Sequence, residues 1–323
     1  MGTIDDLVAG VLRSDRGALA RSITQIESRL EPEAEQREQL LAGVLPHAGK
    51  ALRIGITGAP GVGKSTLIER LGLRLCQAGH KVAVLAVDPS STVTGGSILG
   101  DKTRMDELSR HENAFVRPSP GGGTLGGVAS RTQEAMLLCE AAGHDIILVE
   151  TIGTGQSEVA VAGMVDFFLL LLSPAAGDEL QGIKRGVMEL ANGVLVHKAD
   201  GDLAPAANRT AQQCLLALRV LRGDGMPPAP VVVGSSVTGL GIDELWQAIE
   251  TTIASDRASG SFDTRRRDQA VQWLMRIVRE GVLDQVLGRE TVAAGLAAAR
   301  ERVASGELLA PAAARELLRE AGL

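Results

Sequence analysis

Residues Gly58-Ala59-Pro60-Gly61-Val62-Gly63-Lys64-Ser65 fit G-x-x-x-x-G-K-[ST] in full, a pattern whose chemistry is the binding of polyphosphates. The glycines let the backbone wrap until successive N–H groups point inward, and a helix starting at the same place adds the positive end of its dipole. In such a nest Lys64 reaches the β and γ oxygens, the Ser65 hydroxyl ligates Mg²⁺ and Thr66 lies near the α-phosphate. Two acids complete the expected site. Asp88 closes the apolar run Val82–Val87, and Glu150 closes the run Ile146–Val149 with Gly153 three residues on. An acid at a strand end acts on magnesium or its water, and a glycine N–H can bond a terminal phosphate, so Glu150 reads as the residue that senses a γ-phosphate.

The residue after Gly153 is Thr154, where Ras-like proteins place a water-orienting Gln; Gln156 stands two positions late. This displacement predicts slow intrinsic hydrolysis that depends on a partner or a loop rearrangement. The base-reading loop is His197-Lys198-Ala199-Asp200, after the apolar run Val194–Val196. In [NT]-K-x-D loops the carboxylate accepts from guanine N1–H and its exocyclic amine while the Lys stem lies along the base; adenine presents an acceptor at N1 and is repelled. The first position is His197 rather than Asn, which reads equally as a neutral histidine of the core. A further loop, Gly234 to Gly239, places Ser235, Ser236 and Val237 where a backbone N–H would meet guanine O6.

Positioning these residues requires a sheet. From Leu52 the chain runs through short apolar stretches, Leu52–Thr57, Val82–Val87, Ile146–Val149, Phe167–Leu172, Val194–Val196 and Val231–Val233, with helix-forming stretches between them. Continuous apolar strands alternating with helices are what a parallel sheet covered on both faces requires. The predicted class is α/β, a P-loop NTPase with a mostly parallel sheet. Residues 1–50 carry helical spacing interrupted at Pro32 and Pro46, and 256–323 form an amphipathic tail rich in Ala, Leu, Arg and Glu, with Trp273, Leu274, Ile277 and Val278 at helical spacing. The expected organisation is therefore a helical N-terminal extension at 1–50, a nucleotide domain at 51–255 and a helical C-terminal arm at 256–323. Arg265-Arg266-Arg267 reads as a solvated helix start.

Composition closes off other classes. The 323 residues are 45% hydrophobic and 22% charged, which is the ordinary globular range. The net charge is −6, aromatics are 2% and there is no Tyr, so neither a polyanion-attracting field nor base-stacking platforms are present, and no nucleic-acid or membrane partner is expected. Cys76, Cys139 and Cys214 are few, odd in number and widely spaced, as reduced cytoplasmic thiols are. No export or lipid signal is read at the N-terminus, and the longest greasy run, Phe167–Leu172, is far below the ~20 residues that cross a bilayer.

Longer stretches point further. Val87-Asp88-Pro89-Ser90-Ser91-Thr92, Gly95 to Met105, Arg117-Pro118-Ser119-Pro120 with Gly123-Thr124-Leu125-Gly126-Gly127, Glu150 to Glu158, and Gly177-Asp178-Glu179-Leu180-Gln181-Gly182-Ile183-Lys184-Arg185-Gly186 together resemble the MeaB/ArgK family. These are the G proteins that chaperone adenosylcobalamin-dependent methylmalonyl-CoA mutase. The resemblance covers most of the chain. It implies a SIMIBI-class G domain, a dimerising C-terminal arm, GTP hydrolysis with Mg²⁺, and nucleotide-gated loading or protection of the cofactor of that mutase or a related acyl-CoA mutase. It also implies that Asp88, Asp101 and Glu150 join Ser65 in the magnesium and switch machinery, and that Lys184 sits in a third mobile loop that answers the partner. The chain departs from the family at His197, where Asn is usual, and at Ser236, where Ala is usual. These departures imply that guanine selectivity survives through Asp200 while nucleotide binds more weakly.

Three other readings compete. A small-molecule kinase would need an acceptor pocket and a lid over ATP, and Asp200 after Lys198 fits adenine poorly. A nickel metallochaperone would need a Cys/His cluster, whereas His47, His80, His111, His144 and His197 are scattered. A nucleotide-locked scaffold that binds the mutase without significant turnover is opposed by Lys64, Ser65 and Glu150 but stays open because no Gln follows Gly153.

Overall fold

The computed structural model describes residues 3–28, 34–87, 105–117, 125–151, 157–174, 185–222 and 229–322. The apolar runs form strands β1 (Leu52–Gly58), β2 (Val82–Val87), β4 (Ile146–Thr151), β5 (Phe167–Leu172), β6 (Gly193–Val196) and β7 (Val231–Val233). A further strand, β3 (Ala114–Arg117), is not expected from the sequence, because its four residues are too short to show a pattern of their own. It is held by pairing beside β2 at the edge. The sheet order is β3-β2-β4-β1-β5-β6-β7, with every neighbouring pair parallel.

Alternation along β5 shows how the two faces are filled. Phe167, Leu169 and Leu171 join one core with Ile54 and Ile56, whereas Phe168, Leu170 and Leu172 join the other with Val149 and Val196. The first core is covered by α4 (Lys64–Gln77) and α10 (Ile242–Ser259), through Leu67, Ile68, Leu71, Leu75, Leu245, Trp246 and Ile249. The second is covered by α6 (Leu125–Ala141) and α9 (Ala204–Arg222). Each fully buried Leu, Ile or Phe in these layers contributes about 1.5–3 kcal/mol. Helices α1 (Ile4–Leu12), α2 (Arg16–Glu27) and α3 (Ala34–Val44) bring Val11, Leu19, Ile23, Ile26, Leu40 and Val44 into the same core as Met136 and Leu138 of α6. The chain's start is thus packed into the sheet's second face. Thr3 opens α1 with a capping box shared with Asp6, which satisfies N–H groups the first turn would otherwise leave unbonded.

Short helices α5 (Asp106–Arg110), α7 (Ser157–Ala162) and α8 (Arg185–Leu190) complete the crossovers. The chain divides into two compact units, Met1–Gln269 and Ala270–Leu323. Helix α11 (Ser261–Leu287) begins in the first of them. Here Arg265 and Arg266 correct the expectation of a solvated helix start, while Arg267 is exposed. The Arg266 guanidinium makes two bonds to Asp166, Nε to Oδ1 at 2.8 Å and Nη2 to Oδ2 at 2.6 Å, and also donates to the carbonyls of Gly49 and Ala51. Arg265 pairs with Asp256 and donates to the Asp166 carbonyl. Phe262 lies under the guanidinium groups of both Arg257 and Arg266, 5.0 and 4.8 Å from their carbons. The reason is the desolvated Asp166 carboxylate, which needs a planar, multi-donor cation.

In the second unit α12 (Glu290–Ala304) and α13 (Ala310–Glu320) pack on each other. They bury Val292 and Ala313, and Arg289 donates to the Ala321 carbonyl. All three cysteines are free and buried; burial pushes the Cys214 thiol up to about 11. Among the described residues no helix is long and apolar enough to cross a membrane.

Candidate functional site

Ligands in open parallel sheets bind outside the carboxyl ends of the strands, and the register brings the expected residues to that edge. Ile56 of β1 lies opposite Glu150 of β4, Gly58 opposite Leu171 of β5, Leu172 opposite Val196 of β6, and Val196 opposite Val233 of β7. The loops that leave β1, β6 and β7 therefore emerge at the same end of the sheet, with β5 between β1 and β6.

The loop after β1 has the backbone of a phosphate nest. Gly58, Gly61 and Gly63 have φ of 147°, 80° and 102°, conformations that side chains rarely adopt. Space forbids a side chain as well as torsion does: a Cβ on Gly58 would come 2.6 Å from the Leu171 carbonyl oxygen, and one on Gly63 would come 2.6 Å from the His197 ring. Gly63 caps α4, which starts at Lys64, so the N–H groups of its first turn face the loop. Lys64 is 8% exposed, and its ammonium donates to the carbonyls of Gly58 (2.8 Å) and Ala59 (3.2 Å). Burial pulls it below the ordinary lysine value, and the carboxylates of Glu150 and Glu158 act against that.

Ser65 Oγ donates to Glu150 Oε1 at 2.9 Å, and one position along β4 Thr151 donates to Thr57 at 2.8 Å. Glu150 is buried. A hydroxyl and a carboxylate in contact are hard oxygen donors of the kind Mg²⁺ takes, so this pair fits the ion. Asp88, Asp101 and Lys184, together with Gly153, Thr154 and Gln156, lie outside the described residues. Glu158 on α7 is a residue that the sequence reading misses. It is buried, its Oε2 has no hydrogen-bond partner among the described residues, and its charge reaches Lys64. The signal available in the sequence is an acid in the first turn of a helix following the strand that ends at Glu150.

The expected base-reading residues lie on the loops after β6 and β7. His197, on the first of these loops, is buried between the phosphate loop and the loop after β7, with Nδ1 2.8 Å from the Val62 carbonyl oxygen and Nε2 2.6 Å from Ser236 Oγ. Lys198 has φ 58°, a left-handed conformation that costs a non-glycine residue about 1–3 kcal/mol. That turn carries its exposed stem across to donate to the Gly61 carbonyl at 2.7 Å. The Asp200 carboxylate accepts from Ser235 Oγ, and the Ala199 N–H donates to the Gly234 carbonyl at 3.1 Å. Ser235 and Ser236 are buried and Val237 is exposed, as the tip of a turn that closes with Gly239 N–H on the Ser235 carbonyl. The structure thus joins Gly58–Thr66 directly to His197 and Lys198, and through the His197 ring to Ser236, with Glu150 bonded to Ser65 and Asp200 to Ser235.

Comparison with known proteins gives the family. The sequence profile of the family described as methylmalonyl Co-A mutase-associated GTPase MeaB matches residues 19–291. A probable GTPase of Mycobacterium tuberculosis is 51% identical over 99% of this chain and 96% of its own length. The mitochondrial methylmalonic aciduria type A homolog of Mus musculus is 45% identical over 98% of this chain and 79% of its own. GTPase ArgK of Escherichia coli is 45% identical over 89% of this chain and 87% of its own. Among solved structures, that of a LAO/AO transport system kinase superposes with a TM-score of 0.76 at 35% identity, covering 98% of this chain and 96% of that one. On this family match and these identities, the chain belongs to the MeaB family of methylmalonyl-CoA mutase-associated GTPases and is a P-loop GTPase.

Proposed function

We propose that this GTPase gates the loading and protection of the adenosylcobalamin cofactor of methylmalonyl-CoA mutase, or of a related acyl-CoA mutase, acting in the cytoplasm as a homodimer. The observation that carries the reading is the bond from Ser65 Oγ to Glu150 Oε1. It ties the residue beside the phosphates to the end of β4, from which the chain runs on into residues 152–156, so that what happens at the terminal phosphate is felt by that segment. The family match and the names of the relatives supply the kind of partner.

In this reading Lys64 leaves the Gly58 and Ala59 carbonyls for the β and γ oxygens, and the backbone N–H groups of 61–66 hold the remaining phosphate charge. Ser65 and Glu150, with Asp88 and Asp101, hold Mg²⁺, which when bound neutralises charge on the transferring phosphate. Asp200 accepts the guanine N1–H and amine, Lys198 lies along the base, and the N–H groups of Ser235 to Val237 face O6. Lys184 answers the partner. Turnover is slow alone, since Thr154 stands after Gly153. For the dimer, Val271, Met275, Val278 and Val282 on α11 are spaced 4, 3 and 4 residues apart and are all exposed. That is the seam of a coiled coil, suited to the same helix of a second copy.

The test is to mix the purified chain with cobalamin-dependent mutase and GDP, GTP or a non-hydrolysable GTP analogue, then measure co-elution and phosphate release. The expected result is a complex whose yield depends on the nucleotide and a release rate that rises on adding mutase. Equal co-elution and an unchanged rate with every nucleotide would overturn it. The solved relative is named a transport system kinase, and a kinase acting on ATP is the second reading. Competition of ATP against a labelled GTP analogue separates the two in this chain, because Asp200 discriminates against adenine.

A further inference from the structure

His197 occupies the position that the [NT]-K-x-D pattern gives to Asn or Thr, and its ring bonds fix its chemical form. The Val62 carbonyl can only accept, so at 2.8 Å Nδ1 carries the proton and donates. Nε2 is then a lone pair, and two donors meet it: the Ser236 hydroxyl at 2.6 Å and the Ser236 backbone N–H at 3.2 Å. The His197 N–H donates to the Leu172 carbonyl at 2.8 Å, which pins the Cα to the end of β5. His197 is 3% exposed, and its ring lies against Gly63, the one residue type whose lack of a Cβ leaves room for it. One imidazole therefore spans from the phosphate loop to the loop after β7, with every polar atom satisfied.

We propose that His197 and Ser236 are a matched pair of positioning residues that fasten the last base loop to the phosphate loop in this chain. The proposal rests on the guanine-nucleotide reading above and reverses the sequence-based expectation that His197 weakens binding. An Asn side chain is about 1 Å shorter than the imidazole, so replacing His197 alone leaves the Ser236 hydroxyl and a slice of space beside Gly63 without their neighbour, whereas replacing both restores a self-consistent shorter pair.

The strut also sets a pH dependence. The charged groups acting on the ring are Lys198 and Asp200 of its own loop; the phosphate loop presents the Val62 carbonyl and the loop after β7 presents Ser236, neither titratable. Burial holds His197 below the ordinary histidine value. Above that lowered value the ring is neutral and Nε2 accepts. Below it, Nε2 carries a proton that faces the Ser236 N–H, so that bond is made at neutral pH and lost as the solution is made acid, and the Ser236 hydroxyl must turn from donor to acceptor; the fastening is weakened in acid.

The experiment is calorimetric titration of GDP into the parent, His197→Asn, Ser236→Ala and the double variant from pH 8 to pH 5.5, each checked for folding by its melting transition. Expected is a loss of affinity on the order of tenfold for His197→Asn, a smaller loss for Ser236→Ala, and a double variant at least threefold better than the sum of the two losses. The parent should lose affinity on acidification more steeply than His197→Asn; the nucleotide's own phosphate titration is common to both and cancels. Additive losses, or parallel pH profiles for the parent and His197→Asn, overturn the proposal while leaving guanine binding standing. A parent that takes up no GDP at any pH overturns the nucleotide reading itself and the proposal with it. Ser236→Ala, which removes only a hydroxyl, keeps the test decisive if His197→Asn does not fold.

Discussion

Ser65 Oγ donates to Glu150 Oε1 across 2.9 Å, and this bond joins the first turn of α4 to the end of β4. The two residues are 85 positions apart in the chain and meet only because β1 and β4 are hydrogen-bonded neighbours in register, with Ile56 opposite Glu150. A phosphate-loop serine and a strand-end acid are thereby one unit.

Replacing Glu150 by Gln keeps the shape and one acceptor but removes the charge. The expected outcome is a fall of about a hundredfold in the rate of GTP hydrolysis, with GDP still bound, since the nest and the base loop are untouched. Single-turnover phosphate release beside GDP calorimetry checks it; loss of both in equal measure would show that the residue acts on folding.

Asp200→Asn exchanges an acceptor pair for one acceptor and one donor. Guanine offers N–H groups at N1 and C2, whereas xanthine offers a carbonyl at C2, which an amide can donate to. The variant should lose about 10- to 100-fold in GDP affinity and gain on the xanthosine analogue. Competition of the two nucleotides against a fluorescent GDP analogue measures this. An unchanged ratio would remove Asp200 from base reading.

The Asp166 side chain is fully buried, and its charge is answered by Arg266 and by the Arg53 N–H at 2.8 Å. Arg266→Met should cost about 3–5 kcal/mol, because it strands a buried carboxylate. The double variant with Asp166→Asn should recover part of that, since the charge left behind is gone. Chemical denaturation of the parent and the two variants checks the order of stabilities.

Much of this is legible in the sequence because it rests on patterns that fold locally. The run Gly58–Ser65 fixes a nest through glycine torsions and a helix start that need no tertiary context, and the strands announce themselves by unbroken apolar runs such as Phe167–Leu172. The strand Ala114–Arg117 is invisible because its edge pairing, not its own composition, makes it a strand. Arg266 misleads for a similar reason: a basic triplet looks solvated until Asp166, 100 residues earlier, is seen beside it. Glu158 and the ring bonds of His197 are likewise contacts between distant segments, which spacing along the chain cannot report. Asp88, Asp101 and Lys184 stay as read from the sequence and the family resemblance.

The arm gives the last prediction. On α11 the exposed side chains Val271, Leu274, Met275, Val278 and Val282 form one apolar stripe, and leaving about five such side chains in water costs free energy that pairing with an equal stripe recovers. The stripe carries a 3.5-residue spacing. A carboxylate at its centre would have to be desolvated on pairing but not in the separate chain, so in the proposed homodimer Val278→Asp should shift the equilibrium toward monomer by at least an order of magnitude in dissociation constant. The second unit should still fold, because Val292, Ala313 and the Arg289 bond to Ala321 lie away from residue 278 in the α12 and α13 pair. Sedimentation velocity across a hundredfold range of concentration reads the shift, with helical content by circular dichroism as the control. A Val278→Asp chain that sediments as the parent does, at every concentration, would remove this face from the dimer.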